Sequence, residues 1–219
     1  LVGNGIALNK TTSGTVTLSG ANTYTGATTI NAGTLSVATI GDGGVAGNLG
    51  QAANAAGNLV LGGGTLQYTG ATASTDRAFT LTNGTTSLID VTTNNLTMSG
   101  AGAATTGALT KIGSGTLTLS GTNLYTGATT ISAGTLKLGG GAALADAGAV
   151  SLANVAGVTL DLNGTNETIG SLAGGGTTGG IVTNGVGATT ATLTTGDATN
   201  TAFSGVIQNG AGTVALTKQ

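Results

Sequence analysis

The chain has no cysteine, histidine, proline or tryptophan, and only 5% of its residues are charged. Each absence excludes something. Without Cys there are no disulfides to hold a thin core and no thiolate chemistry. The same absence suits a protein exported unfolded, for which a premature disulfide is an obstacle. Without His or Cys, nucleophilic triads and metal sites built on imidazole or thiolate cannot form. Without Pro, and with no glycine at every third position, collagen is excluded. Globular domains carry about 25% charged residues, and this chain cannot supply the outer faces of ordinary helices. No apolar run approaches the ~20 residues of a transmembrane helix. A net charge of −2 gives no electrostatic footprint for nucleic acid, and Tyr24, Tyr68, Tyr125, Phe79 and Phe203 are too few to stack bases.

What remains is glycine, 43 of 219 residues, and threonine, about a fifth of the chain. Both are poor helix formers, whereas Thr, Val and Ile suit a pleated surface. A hydrophobic share of 39% with so little charge is the opposite of the disordered signature. Strand and turn are expected throughout.

One block occurs twice, 101 positions apart, with 19 of 25 residues identical. Ser13 to Val37 reads SGTVTLSGANTYTGATTINAGTLSV, and Ser114 to Leu138 reads SGTLTLSGTNLYTGATTISAGTLKL. Ala7 to Lys10 (ALNK), Ala108 to Lys111 (ALTK) and Ala215 to Lys218 (ALTK) form lead-ins to the two blocks and to a third. A close repeat means one structural unit used again, hence a quasi-one-dimensional architecture. The expected division is a first unit at 1–107, a second at 108–214 and the lead-in to a third at 215–219, in one continuous solenoid. The opening LVGNG has no initiator Met and no signal peptide, so the chain reads as a stretch of a longer array.

Each block parses into three short strands, for example Thr15–Leu18, Ala27–Ile30 and Thr34–Val37. Apolar residues alternate with Thr or Ser, as successive strand side chains do, and Gly and Asn occupy the corners. Further strands are expected at Leu59–Leu61, Thr65–Tyr68, Ala78–Leu81, Ser87–Val91 and Leu96–Met98. Later ones are Val150–Leu152, Val158–Leu162, Thr168–Leu172, Ala191–Thr194, Val206–Ile207 and Thr213–Leu216. Gly41 to Gly57 lacks alternation and reads as a loop. Gly139 to Ala149 stands at the equivalent place and reads as a single helical turn.

A sandwich or barrel needs large side chains facing across roughly 10 Å. A parallel β-helix is narrower and can be filled by Leu, Ile, Val, Ala and Thr. The expected fold is therefore all-β, a right-handed single-stranded parallel β-helix. At about 20–25 residues per coil it has roughly nine to eleven coils, and at ~4.8 Å per rung a length of about 45–50 Å. Its end coils would expose unpaired edges.

The blocks, with the pattern SG-x-N-x-YTG-x-T-x-I-x-AGTL, closely resemble the autotransporter passenger-associated β-strand repeat, as do the flanks Val158 to Gly176 and Ala202 to Lys218. The two blocks cover under a quarter of the chain. The resemblance implies an exported, right-handed β-helical stalk of a large bacterial surface protein, extracellular at the cell surface. The repeat-motif positions are Gly20, Asn22, Tyr24, Gly26 and Gly33 in the first copy and Gly121, Asn123, Tyr125, Gly127 and Gly134 in the second. Their Asn and Tyr read as corner fasteners rather than sugar-binding stripes.

No catalytic, cofactor or metal site is expected. The carboxylates Asp42, Asp76, Asp90, Asp146, Asp161, Glu167 and Asp197 are scattered, and Arg77, the only Arg, reads as a surface ion pair or turn with Asp76. Gly41–Gly44 lacks the nine-residue Asp recurrence of calcium repeats. Gly174 to Gly179 lacks the strand, helix and Lys of a phosphate loop. The expected function is a structural shaft, with neighbouring coils or copies of itself as partners, self-association end to end into a filament or biofilm matrix, and no enzymatic activity. The alternative is a module binding glycans or ice through outward Thr pairs (Thr15/Thr17, Thr116/Thr118, Thr192/Thr194).

Overall fold

The computed structural model describes residues 3–219; Leu1 and Val2, where the first sequence unit begins, lie outside the described residues. Short alternating segments separated by Gly and Asn cannot bury a face by themselves. They stack instead, each strand bonding to its counterpart one coil away. The result is a parallel β-solenoid of about ten coils. Among the described residues every strand pairing is parallel, and the one antiparallel contact is an isolated bridge, Asn22 with Gly47.

The chain visits three faces in a fixed cycle. The first face opens with Leu8–Lys10, Thr28–Ile30, Leu59–Leu61 and Thr80–Leu81. It continues through a bridge between Phe79 and Gly102 and closes with Glu167–Ile169, Thr190–Thr195 and Thr213–Lys218. The second face is an eight-stranded sheet: Thr15–Leu18, Thr34–Val37, Thr65–Tyr68, Thr86–Val91, Ala108–Ile112, Thr129–Ile131, Ala149–Leu152 and Ser171–Gly174. The third is a seven-stranded sheet: Ala73–Thr75, Asn95–Met98, Thr116–Leu119, Thr135–Leu138, Thr159–Asp161, Ile181–Thr183 and Val206–Ile207.

Register converts alternation into a core. Leu96, Leu117, Leu136, Leu160 and Val182 stand in one inward column of the third face, all buried. Ladders cross the boundary at 107/108, where Ala108–Ile112 pairs with Thr86–Asp90.

Most expected strands are present. The expected strand Thr168–Leu172 is in fact two, Glu167–Ile169 on the first face and Ser171–Gly174 on the second. Gly170 makes the corner between them because a Cβ there would lie 2.6 Å from the Ala147 carbonyl. The expected helical turn at Gly139 to Ala149 is absent: the segment is a run of turns. Its Ala residues serve close packing instead, with Ala143 and Leu144 buried. Among the described residues the one helix is a 3-10 turn, Ala56–Asn58, at the exit of the first loop. Strands not anticipated are Leu8–Lys10, Ala73–Thr75, Ala108–Ile112 and Ile181–Thr183. Leu8–Lys10, Ala73–Thr75 and Ile181–Thr183 have three residues each, too few for alternation to mark them.

The two blocks do not occupy the same faces. Thr15–Leu18 and Thr34–Val37 lie on the second face, while their counterparts Thr116–Leu119 and Thr135–Leu138 lie on the third. Likewise Thr28–Ile30 is on the first face and Thr129–Ile131 on the second. The offset of the second copy is therefore four coils plus one face.

Candidate functional site

The distinctive side chains converge on the corners and on the two irregular segments. At each block, Asn and Tyr fasten a corner. Asn22 Nδ2 donates to the Gly20 carbonyl at 3.3 Å and, in the next coil, to Asn48 O at 3.1 Å. Asn123 Nδ2 repeats this with Gly121 O at 3.3 Å and Ala143 O at 2.8 Å, and its Oδ1 accepts from Gly102 N at 2.7 Å. The Tyr24 and Thr28 hydroxyls share a hydrogen bond of 2.7 Å, and those of Tyr125 and Thr129 one of 3.1 Å. Both rings are buried, which raises both phenol pKa values, that of Tyr125 to about 12. Buried rings present no external stripe to a sugar.

All of the motif glycines but Gly20 are places where a side chain would strike a neighbouring coil. A Cβ on Gly26 would meet Ile6 O at 2.4 Å, and one on Gly127 would meet Gly107 O at 2.2 Å. Gly33 and Gly134 have φ of 63° and 64°, a left-handed conformation that Gly adopts freely. A Cβ on Gly121 would meet Gly100 O at 2.4 Å, whereas one on Gly20 would meet no heavy atom within 4 Å.

The lead-in lysines have a role their recurrence alone did not disclose. Lys111 stands in an inward column between Ile89 and Ile131 and is fully buried. Its Nζ donates to the carbonyls of Ile112 at 2.6 Å, Gly113 at 2.8 Å and Ala133 at 3.2 Å, using all three protons. Burial pushes its pKa down to about 8, against the pull of Asp90. Lys10, paired with Ile30, makes the same arrangement with the carbonyls of Thr12 and Ala32.

Arg77 overturns its sequence reading. It is no surface partner of Asp76 but lies buried beneath the loop at 38–58. Nε donates to Gly41 O at 2.8 Å, one terminal nitrogen to Ala52 O at 3.3 Å, and the other to Gly50 O at 2.8 Å, Asp42 O at 3.2 Å and Val45 O at 3.4 Å. An always-charged planar fork suits this task, since it satisfies carbonyls that a strand ladder would otherwise pair. Asn48 supports the loop from within: its Oδ1 accepts from Ala38 N and Thr39 N, at 3.0 and 2.8 Å. Asp76 and Asp42 tie the rim, Gly43 N to Asp76 Oδ1 at 2.7 Å and Asp76 N to Asp42 Oδ1 at 2.9 Å. The second segment, 139–148, is held from below by Asn123 and from above by buried Glu167, whose Oε1 accepts from Leu144 N at 2.7 Å.

The expected Thr pairs do not share a surface. Thr15/Thr17 belong to the second face, Thr116/Thr118 to the third and Thr192/Thr194 to the first. On the third face a polar ledge extends over several rungs, a shallow groove of about 510 Å³ lined by Thr72, Asn95, Thr97, Thr116, Thr118 and Thr135. Lys137 and Asp161 end it with a loose ion pair at 4.0 Å. The glycine run at 174–179 is a turn, Gly176 N donating to Gly179 O at 2.9 Å. Among the described residues no group of three or more His, Cys, Asp or Glu could hold a metal ion, and no helix is long and apolar enough to cross a membrane.

Fold and site together define a parallel β-solenoid whose few ionisable interior side chains bind its own main chain. Residues 8–37 and 109–138 match the family described as passenger-associated-transport-repeat. The chain is also similar, at 44% identity over 211 residues and 92% of its length, to the adhesin BmaC autotransporter of Brucella suis biovar 1 (strain 1330). It spans 6% of that relative's length. No solved structure matches. The chain thus carries two copies of an autotransporter passenger repeat on a parallel β-solenoid.

Proposed function

We propose that this chain is a shaft segment of a secreted bacterial surface adhesin, acting mechanically and outside the cell. The observation that carries this reading is the use of its charge. Lys10, Arg77 and Lys111 are buried and donate to main-chain carbonyls, and buried Glu167 accepts from an amide. Side chains that could bind a substrate are instead committed to keeping corners and loops in place. Continuous ladders then give a stiff rod that carries its two loops at fixed positions.

The shaft reading includes end-to-end association into a filament or matrix. In its support, every strand ladder among the described residues is parallel and runs from coil to coil, the arrangement by which one coil could continue into another copy. The purified chain should form longer rods whose population rises with concentration. A variant with Pro substituted at Thr15, Thr17, Ala215 and Thr217 should remain dispersed in electron micrographs, since Pro cannot donate to a ladder. Dispersed rods of about 45–50 Å for both proteins would sink the end-to-end part. A glycan-binding module is the second reading, favoured only by the third-face ledge; unchanged glycan-array binding after Thr97, Thr116 and Thr118 are replaced by Val would remove it.

A further inference from the structure

Both irregular segments are fastened from the coil above by one buried ionisable side chain, of opposite charge in the two cases. Arg77 grips the loop at 38–58 and keeps its proton at any accessible pH. Glu167 grips the segment at 139–148. It is 2% exposed and stands in an inward column, paired with Leu193 of the next coil. Oε1 accepts from Leu144 N at 2.7 Å, but Oε2, equally buried, has no hydrogen-bond partner. Burying a carboxylate with one oxygen unsatisfied is costly, and a neutral carboxyl costs far less. Two titratable groups face it. Asp146, on the segment itself, repels a Glu167 anion, and Tyr125, in the coil beneath, is buried and uncharged. Leu193 above brings no charge.

We propose that Glu167 is a protonation-controlled latch: neutral, it lets the 139–148 segment close over the core, and ionised, it draws water to its unpartnered oxygen and loosens the segment around Leu144. Burial pushes the Glu167 carboxyl up to about 7, opposed by the hydrogen bond from Leu144 N and the nearby Ala143 amide, and reinforced by Asp146. The closed state therefore holds its proton to about 7, while an opened, hydrated carboxyl releases it near the ordinary 4.5. Between those values the closed state binds more protons than the open one. Closure is strongest in acid, weakens as pH rises through that window, and becomes independent of pH above it.

Amide hydrogen exchange of the intact chain, corrected for intrinsic rates, tests this between pH 5 and 8.5. Protection at Leu144 should fall by up to about tenfold per pH unit, the limit for one proton, and then level off near neutrality. The Arg77-held loop should show no such fall. Asp146→Asn, a change at an exposed position, should move the midpoint to lower pH, and Glu167→Gln should flatten the profile. A flat wild-type profile, or a slope unchanged in Glu167→Gln, overturns the latch. If Glu167→Gln does not fold, the carbon-13 titration of the Glu167 carboxyl decides: a midpoint in the ordinary carboxylate range overturns it.

Discussion

Three of the five cations in this chain end inside the coil wall, each on carbonyl oxygens rather than on a carboxylate. A carbonyl cage supplies partial charges without a second desolvated ion, so the unfavourable arithmetic of buried salt bridges is avoided. For Arg77, five carbonyl groups depend on one side chain. Arg77→Met should therefore destabilise the chain by about 3–5 kcal/mol, and limited proteolysis should cut first between residues 41 and 57. For Lys111 the folded pKa lies near 8, below the ordinary 10.5. The unfolded chain binds the extra proton between those values, so this residue makes stability rise with pH across that window. The gain should approach the order of 3 kcal/mol. Urea unfolding at pH 7 and pH 10 should show it in the wild type and not in Lys111→Met.

At the scale of the element, glycine positions mark contact between coils. Gly134→Ala combines a left-handed φ of 64° with carbonyls of Gly113 and Gly115 at 2.5 Å from the new Cβ, and should cost about 3 kcal/mol or more. Gly20 and Gly121 hold the same place in the repeat but differ in surroundings. Gly20→Ala should change the thermal midpoint little, while Gly121→Ala, over the Gly100 carbonyl, should lower it by several degrees. Equal shifts would mean that the coils do not stack as described. Strands with clear alternation, such as Thr65–Tyr68 and Thr116–Leu119, were legible in the sequence because a period of two with Gly at the ends has one physical reading. Leu8–Lys10 was not, because a lysine at an inward position breaks the apolar pattern that marks a strand. The Asn–Tyr corners could be anticipated from turn chemistry. The grips of Arg77 and Glu167 could not, since each joins residues more than 20 positions apart across coils of unequal length.

Across the whole molecule, stability comes from contacts between adjacent coils, with the two interior grips closing gaps where a strand is missing. This nearest-neighbour character lets a solenoid take insertions such as the one at 38–58 without losing its ladder: Thr28–Ile30 pairs directly with Leu59–Leu61 across it. It also lets the two blocks fall out of phase. Thr15–Leu18 looks out from one wall and Thr116–Leu119 from the next, about 20 Å further along at ~4.8 Å per rung. A bivalent reader of the repeat, such as an antibody or a two-headed receptor, would meet identical epitopes that do not face the same way. A rigid bivalent reader approaching from one side would engage a single copy and gain no avidity from the second.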